Sequence, residues 1–161
     1  MATEMKTPLS YETEVYIETS AGSYAEINKG FTGFSKTNNP SVQTQQYIGD
    51  VNATSSITAL GMQFAYSGER VVGDDANDYF ASLDGKVGND LKSSLVKVNL
   101  WEAEGTNTPI PATLYNVVIA VSSDGDLSGG STQAISGTVY VNGDPVKGTF
   151  DRSTKKFTPE N

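Results

Sequence analysis

The sequence predicts a mainly β fold: two packed antiparallel β-sheets, as a sandwich or partly closed barrel, flanked by one α-helix. Three observations predict it. Apolar and polar residues alternate with period two through most of the chain. Clusters of Gly, Asn, Asp and Pro punctuate these runs at short intervals, as turns between strands do. One mid-chain segment alone switches to a helical period. At 161 residues the chain fits a single domain, residues 1–161, with an ordinary core.

The elements follow in order. In YETEVYIET, Thr13, Val15, Ile17 and Thr19 alternate with Glu12, Glu14, Tyr16 and Glu18, so one face of this strand is acidic. Ala21, Gly22 and Ser23 mark a turn, and YAEI supplies the partner strand. GFTGFSK is a third strand, with Phe31 and Phe34 near a core. SKTNNPSVQTQQYIGDVNATSS, residues 35–56, then reads as a long polar loop whose few apolar side chains are Val42, Tyr47, Ile48, Val51 and Ala53. Loops beyond about 12–15 residues are uncommon in compact domains unless they have a function. SITALGMQFAYS reads as one half-buried strand with Leu60, Met62, Phe64 and Tyr66 on one face.

The change of period falls in GDDANDYFASLDGKVG. Ala76, Tyr79, Phe80 and Leu83 lie at i, i+3, i+4 and i+7, which predicts a helix over residues 75–84. Asp74 or Asp75 caps it, Asp78 faces solvent, and Gly85 or Gly88 stops it. SSLVKVNLWEA is a further strand, and EGTNTPIPA a loop. TLYNVVIAVSS is apolar on nearly both faces and should be central. SDGDLSGGS is a loop. TQAISGTVYVNGDPVKGTFD reads as a hairpin turning at Asn142–Pro145, and GTFDRSTKKF as a last hairpin turning at Asp151–Thr154.

Composition narrows function. The chain has no Cys and no His, which excludes thiol nucleophiles, His-based acid–base pairs and the usual zinc sites. Its net charge of −8 disfavours tight binding to nucleic acid, where Lys and Arg supply most of the affinity. No apolar run is long enough to span a bilayer, and the N-terminus lacks the pattern of a secretory signal. Asp124-Gly-Asp126 lacks the spacing of a calcium loop, and Gly85-Lys-Val-Gly-Asn-Asp that of a phosphate loop. Asn52-Ala-Thr54 is a glycosylation sequon by pattern only, and nothing places Glu102 and Glu104 in a cleft. No catalytic residue, cofactor or metal is expected, and the chain is not expected to be an enzyme. What remains is the sheet surface, whose edges must be protected or used.

The residues EVYIETSAGSYAEINKGFTGFSKTNN, QQYIGDVNATSSITALGMQFAYSGERVVGDDANDYFASL and ISGTVYVNGDPVKGTFDRSTKKFTP carry a further indication. The last includes a G-x-x-D-x-x-T-K-x-F pattern at Gly148, Asp151, Thr154, Lys155 and Phe157. In their order these segments resemble the major tail tube proteins of long, non-contractile-tailed bacteriophages, the siphophage tail tube family. The resemblance covers nearly the whole chain. It implies the tail-tube fold and a structural virion protein. Six copies would form a ring, and rings would stack into a hollow tube through which the DNA genome passes. It implies homo-oligomeric partners and other phage tail proteins (tape measure, tail terminator, distal tail protein). It also implies a place in the virion tail after assembly in the host cytoplasm. Residues 38–56 become the inter-ring loop, with Gln45, Gln46, Tyr47, Ile48, Asp50 and Val51 as its contacts. The face of Glu12, Glu14 and Glu18 becomes the candidate acidic lumen wall, repelling DNA so that it slides. The chain stops soon after Phe157, so the immunoglobulin-like extension of some relatives is not expected. The alternative is a monomeric β-sandwich binding module for carbohydrate, adhesion or decoration.

Overall fold

In the computed structural model, residues 4–105 and 109–161 are described. The strands in chain order are β1 (Thr13–Ser20), β2 (Ser23–Glu26), β3 (Phe31–Thr37), β4 (Pro40–Gln45), β5 (Thr54–Leu60) and β6 (Gln63–Glu69). The helix α1 (Asp75–Ser82) follows, then β7 (Lys92–Asn99), β8 (Ile110–Asp126), β9 (Ala134–Val141), β10 (Val146–Asp151) and β11 (Lys156–Pro159). Among the described residues, nine strands form one antiparallel sheet in the order β2-β1-β7-β8-β9-β6-β3, with β10 on β8 and β11 on β10. β4 and β5 form a separate two-stranded sheet.

β8 organises the large sheet because it is longer than its partners. On one edge it pairs with β7 over Ala112–Val118. On the other it pairs with β10 over Ile110–Leu114, then with β9 from Val117 to Asp126. The sheet therefore forks near Tyr115 and Asn116. One limb is β2-β1-β7-β8-β10-β11, and the other is β8-β9-β6-β3. The expected sandwich or partly closed barrel is realised as one curled sheet whose limbs face each other. The chain between β9 and β10 is not the expected hairpin. These two strands pair with β8 in succession, with the Asn142 amide donating to the Asn116 carbonyl at 2.7 Å.

The limbs enclose two apolar clusters. Ile17, Leu95, Tyr115, Val117, Ile119, Val139, Phe64 and Tyr66 fill the space between limbs and under α1. Tyr16, Val96, Val98, Ile110, Ala112 and Phe150 pack on the opposite face of the first limb, with the Tyr16 and Phe150 rings 4.5 Å apart. β1 thus buries both faces: Ile17 stands in register with Leu95, and Tyr16 with Val96. Full burial of one such aliphatic or aromatic side chain stabilises by about 1.5–3 kcal/mol. Gly137 lets the Tyr66 ring lie across the sheet, since a Cβ there would stand 2.5 Å from the Tyr66 hydroxyl oxygen and 2.4 Å from the Ala120 carbonyl oxygen.

α1 takes the expected stripe. Phe80 meets Tyr66 and Phe31 with ring centroids 4.7 and 5.3 Å apart, and Leu83, at the helix C-cap, is buried with it. The Asp74 carboxylate caps the N-terminus, accepting from the Asn77 amide at 3.0 Å. Asn77, fully buried, was not legible as a core residue. Its carbonyl oxygen accepts from Arg70 Nη1 at 2.8 Å and from the Val71 amide at 3.1 Å, and its amide donates to the Glu69 carbonyl at 3.0 Å. The side chain so completes the backbone hydrogen bonds of the β6–α1 connection, as a buried polar group must. Asp78 does not simply face solvent: it pairs with Arg70 at 2.7 Å and accepts from the Gly73 amide at 3.1 Å.

Two expected boundaries shift. SITALGMQFAYS divides at Gly61–Met62 into β5 and β6, which belong to different sheets. β8 extends into both neighbouring loops, starting at Ile110 and ending at Asp126, with bulges between Val121 and Ser123 and between Asp124 and Asp126. Bulges bend a strand and increase its twist; both lie beyond Val118, where the pairing with β7 ends.

Asn77→Ala removes three hydrogen bonds and leaves the part-buried Val71 amide and Glu69 carbonyl without that partner. The expected cost is about 2–3 kcal/mol, read as a lower urea midpoint with unchanged slope. A second expectation concerns alkaline pH. The Tyr66 phenol is pushed up to about 12, first by burial and then by the charges of Asp124 and Asp84. Tyr16 is raised as well, first by burial and then by its hydrogen bond to Glu14. Above the ordinary phenol value of about 10 the unfolded chain has lost these protons and the folded chain keeps them. Stability is therefore intact below about pH 10 and falls as pH rises toward 12. Denaturation midpoints between pH 8 and 11 measure it, and Tyr66→Phe should lessen the fall.

Candidate functional site

The stretch expected to be a polar loop is mostly a hairpin arm. β4 and β5 pair with each other from Pro40–Leu60 to Gln45–Thr54, and every residue in both strands is exposed. The arm continues the β3–β6 hairpin past a neck. At the neck the Gly61 amide donates to the Asn39 carbonyl at 3.3 Å, and the Asn39 side-chain amide donates to the Gly61 carbonyl at 3.1 Å. Asn39 has φ 41°, a left-handed conformation that Asn tolerates better than most residues. Asn39 and Gly61 so redirect the strands out of the main sheet.

An isolated two-stranded hairpin is marginally stable in water. This one also carries an apolar row into solvent: Val42 stands opposite Ile57, and Leu60 lies at its base. At the tip, Gln46 Nε2 donates to the Asp50 carbonyl at 2.9 Å and the Asp50 amide to the Tyr47 carbonyl at 3.0 Å. This turn presents Tyr47, Ile48 and Val51 outward, with Ile48 and Val51 almost fully exposed. Gln45 closes β4 opposite Thr54. The six residues selected in the sequence are thus gathered at one end of the arm.

The three glutamates do not form a bare acidic face. Glu14 is buried; it accepts from Arg152 Nε at 2.9 Å and from the Tyr16 hydroxyl at 2.6 Å. Arg152 lies in the β10–β11 turn, so this pair ties β1 to the far end of the first limb. Glu12 pairs with Lys6 and accepts from the Leu9 amide at 2.8 Å, which hold its carboxyl below the usual range. Glu18 accepts from the Gly22 amide at 2.8 Å within the β1–β2 turn. Each carboxylate has a local structural task.

A different face is open and uncharged. On the second limb, Thr37, Gln63, Tyr140 and Val118 form one rung across the four strands. Ser35, Ala65, Thr138 and Ala120 form the next, and Gly33, Ser67, Ser136 and Ser123 a third. The alternate residues, such as Phe64, Tyr66, Val139 and Ile119, point into the core. No residue of the three rungs is ionisable at neutral pH, in a chain with 30 charged residues, 11 basic and 19 acidic. Sequence alone did not show this face, because the residues come from four separated segments and only the register assembles them.

A groove of about 640 Å³ separates β3 from the start of β1, with Val15, Phe34, Phe64, Lys36 and Lys97 among its lining. It marks where the curled sheet stays open.

The structure resembles a chain of the cryo-EM structure of the anti-feeding prophage (AFP) baseplate, 6-fold symmetrised. The two share 16% sequence identity at a TM-score of 0.52, over 89% of this chain and 97% of the other. No family model matches the chain, and no curated protein matches it in sequence.

Removing residues 42–52 leaves the neck and the main sheet intact. The shortened chain is expected to keep its thermal midpoint within about 3 °C of the parent, since the arm buries little of the core. Calorimetry checks this; global unfolding would show that the arm supports the sheet.

Proposed function

We propose that this chain is a structural, non-catalytic subunit of a phage tail tube. Copies join into hexameric rings, and rings stack into a hollow tube that passes DNA. The observation that carries the reading is the arm, a hairpin with apolar residues held out in water beyond its own domain. An exposed apolar patch of this kind marks an interaction surface. Its tip residues Tyr47, Ile48 and Val51 would be covered by a copy in the adjacent ring. Supporting the reading is the likeness in fold to a chain from a prophage baseplate described as 6-fold symmetrised. A phage particle is accordingly the proposed location, and other tail proteins are the proposed neighbours.

Within this reading the lumen wall is the uncharged face of β8-β9-β6-β3, in place of the glutamates of β1. A basic wall would hold DNA through many phosphate contacts. The three uncharged rungs offer no such holds, while the net negative charge elsewhere keeps DNA off the outer surface.

The likeness to a baseplate chain favours a second reading, in which the chain forms a single ring at the tube's end. Imaging the purified protein by negative stain at rising concentration, and then locating it in particles by labelling, tests both. Tubes of uniform diameter, labelled along their length, are expected. A label at one end alone would select the second reading. A monomer at every concentration would contradict both and favour a monomeric binding module.

A further inference from the structure

The link Asn142-Gly143-Asp144-Pro145 joins β9 to β10 without closing a hairpin. Both strands run antiparallel to β8, one after the other along the same edge. Val141 stands beside Val117, and Val146 beside Leu114. The chain therefore takes five steps from Val141 to Val146 where β8 takes three from Leu114 to Val117, and the surplus bulges into solvent. Asn142, Gly143 and Asp144 are all exposed. The Asn142 amide is anchored on the Asn116 carbonyl at 2.7 Å, which fixes the start of the link.

Asn142 is the chain's only asparagine followed by glycine. An asparagine carboxamide reacts with the amide nitrogen of the next residue when three conditions hold. That nitrogen must carry a hydrogen and be unengaged, the backbone must be free to rotate, and no Cβ may crowd the approach. Gly143 meets all three. Among the described residues its amide donates no hydrogen bond, and the Asn142 side chain makes none. Gly143 has φ 75°, and a Cβ there would meet nothing within 4 Å, so the backbone has room to turn. Other asparagines fail on one condition or more. Asn39 precedes Pro40, which has no N–H. Asn77 is fully buried and held by three hydrogen bonds. Asn52 is exposed like Asn142, but the side chain of Ala53 follows it.

We propose that Asn142 is a self-modification site, converting to aspartate and isoaspartate in the folded protein. The Gly143 nitrogen gives up its proton to solvent and attacks Cγ of Asn142. A C–N bond forms and closes a succinimide ring. The bond from Cγ to the side-chain nitrogen breaks, and that nitrogen takes up a proton and leaves as ammonia. Water then adds to one of the two imide carbonyls. Opening at Cγ gives aspartate with the original main chain. Opening at the main-chain carbonyl gives isoaspartate, whose main chain runs through Cγ. One water is consumed and one ammonia released, with no change of oxidation state.

The fold accommodates both products. The altered bonds lie beyond the Asn142 nitrogen, so its hydrogen bond to Asn116 is kept. The added main-chain carbon of isoaspartate falls within the surplus between Val141 and Val146, so neither strand loses register. Each conversion adds one negative charge to a chain of net −8. Asn142 follows Tyr140 by two residues, and the new carboxylate therefore borders the uncharged rungs. The chemistry is independent of the tube reading; if that reading holds, the lumen wall gains charge at its margin as the particle ages.

Ageing the full chain at mildly alkaline pH, folded and in parallel in urea, tests the site. Peptide mass spectrometry follows the replacement of the side-chain amide by a carboxyl group, and enzymatic methylation counts isoaspartate. In the folded chain Asn142 should convert about tenfold or more faster than Asn52, and within about threefold of its own rate in urea. Heavy-oxygen water should leave its label in the new carboxylate. Asn142→Gln, whose ring would be one atom larger, should stay unmodified with an unchanged thermal midpoint. Equal rates at Asn52 and Asn142 would show that Gly143 gives no advantage, and conversion of Asn142 in urea alone would show that the fold closes the site; either overturns the proposal. Loss of the β-sheet circular dichroism signal as isoaspartate accumulates would overturn the claim that the link absorbs it.

Discussion

The backbone of β8 runs unbroken from Ile110 to Asp126, and its partners change along it. At about 3.3 Å per residue it spans roughly 55 Å, far beyond the reach of β7, β9 or β10 alone. The partner edge is shared by β10 first and β9 afterwards, so the sheet must fork, and a forked, twisted sheet folds its limbs toward each other. Other features follow from that geometry. The first limb has apolar residues on both faces because one faces the other limb and the other is closed by Phe150 and Phe157. The second limb has one buried face and one open face. β8 outruns β7, and an edge is left unpaired.

Much of this was legible from alternation. β1, β3, β7 and the helix stripe of Ala76, Tyr79, Phe80 and Leu83 lie where period and turn residues place them. The departures have physical causes. Residues 40–45 and 54–60 lack the apolar alternation of a half-buried strand because the arm has no buried face, and polarity alone reads as loop. Gly61 falls inside an alternating run and conceals the break between β5 and β6; only the second sheet reveals it. Asn142–Pro145 is a sound turn, yet its flanking strands take β8 as partner, since a turn fixes a change of course and not a pairing.

The site was legible to the same uneven degree. Tyr47, Ile48 and Val51 stood out as rare apolar residues in a polar stretch, and the arm indeed exposes them. Glu12, Glu14 and Glu18 shared a strand face by period, but period cannot show that Arg152, distant in sequence, returns to neutralise Glu14. The uncharged rungs are properties of register. They become visible only when β3, β6, β9 and β8 are laid side by side.

In the proposed assembly the free subunit is incomplete, with its arm held in water until other copies cover it. Hydrogen exchange on the subunit before and after assembly tests this most directly. Amides of 40–60 should exchange fast in the free subunit and become protected in the assembled particle, while β7 and the first half of β8 stay slow in both. Protection of that segment in the free subunit, or fast exchange that persists after assembly, would contradict the account.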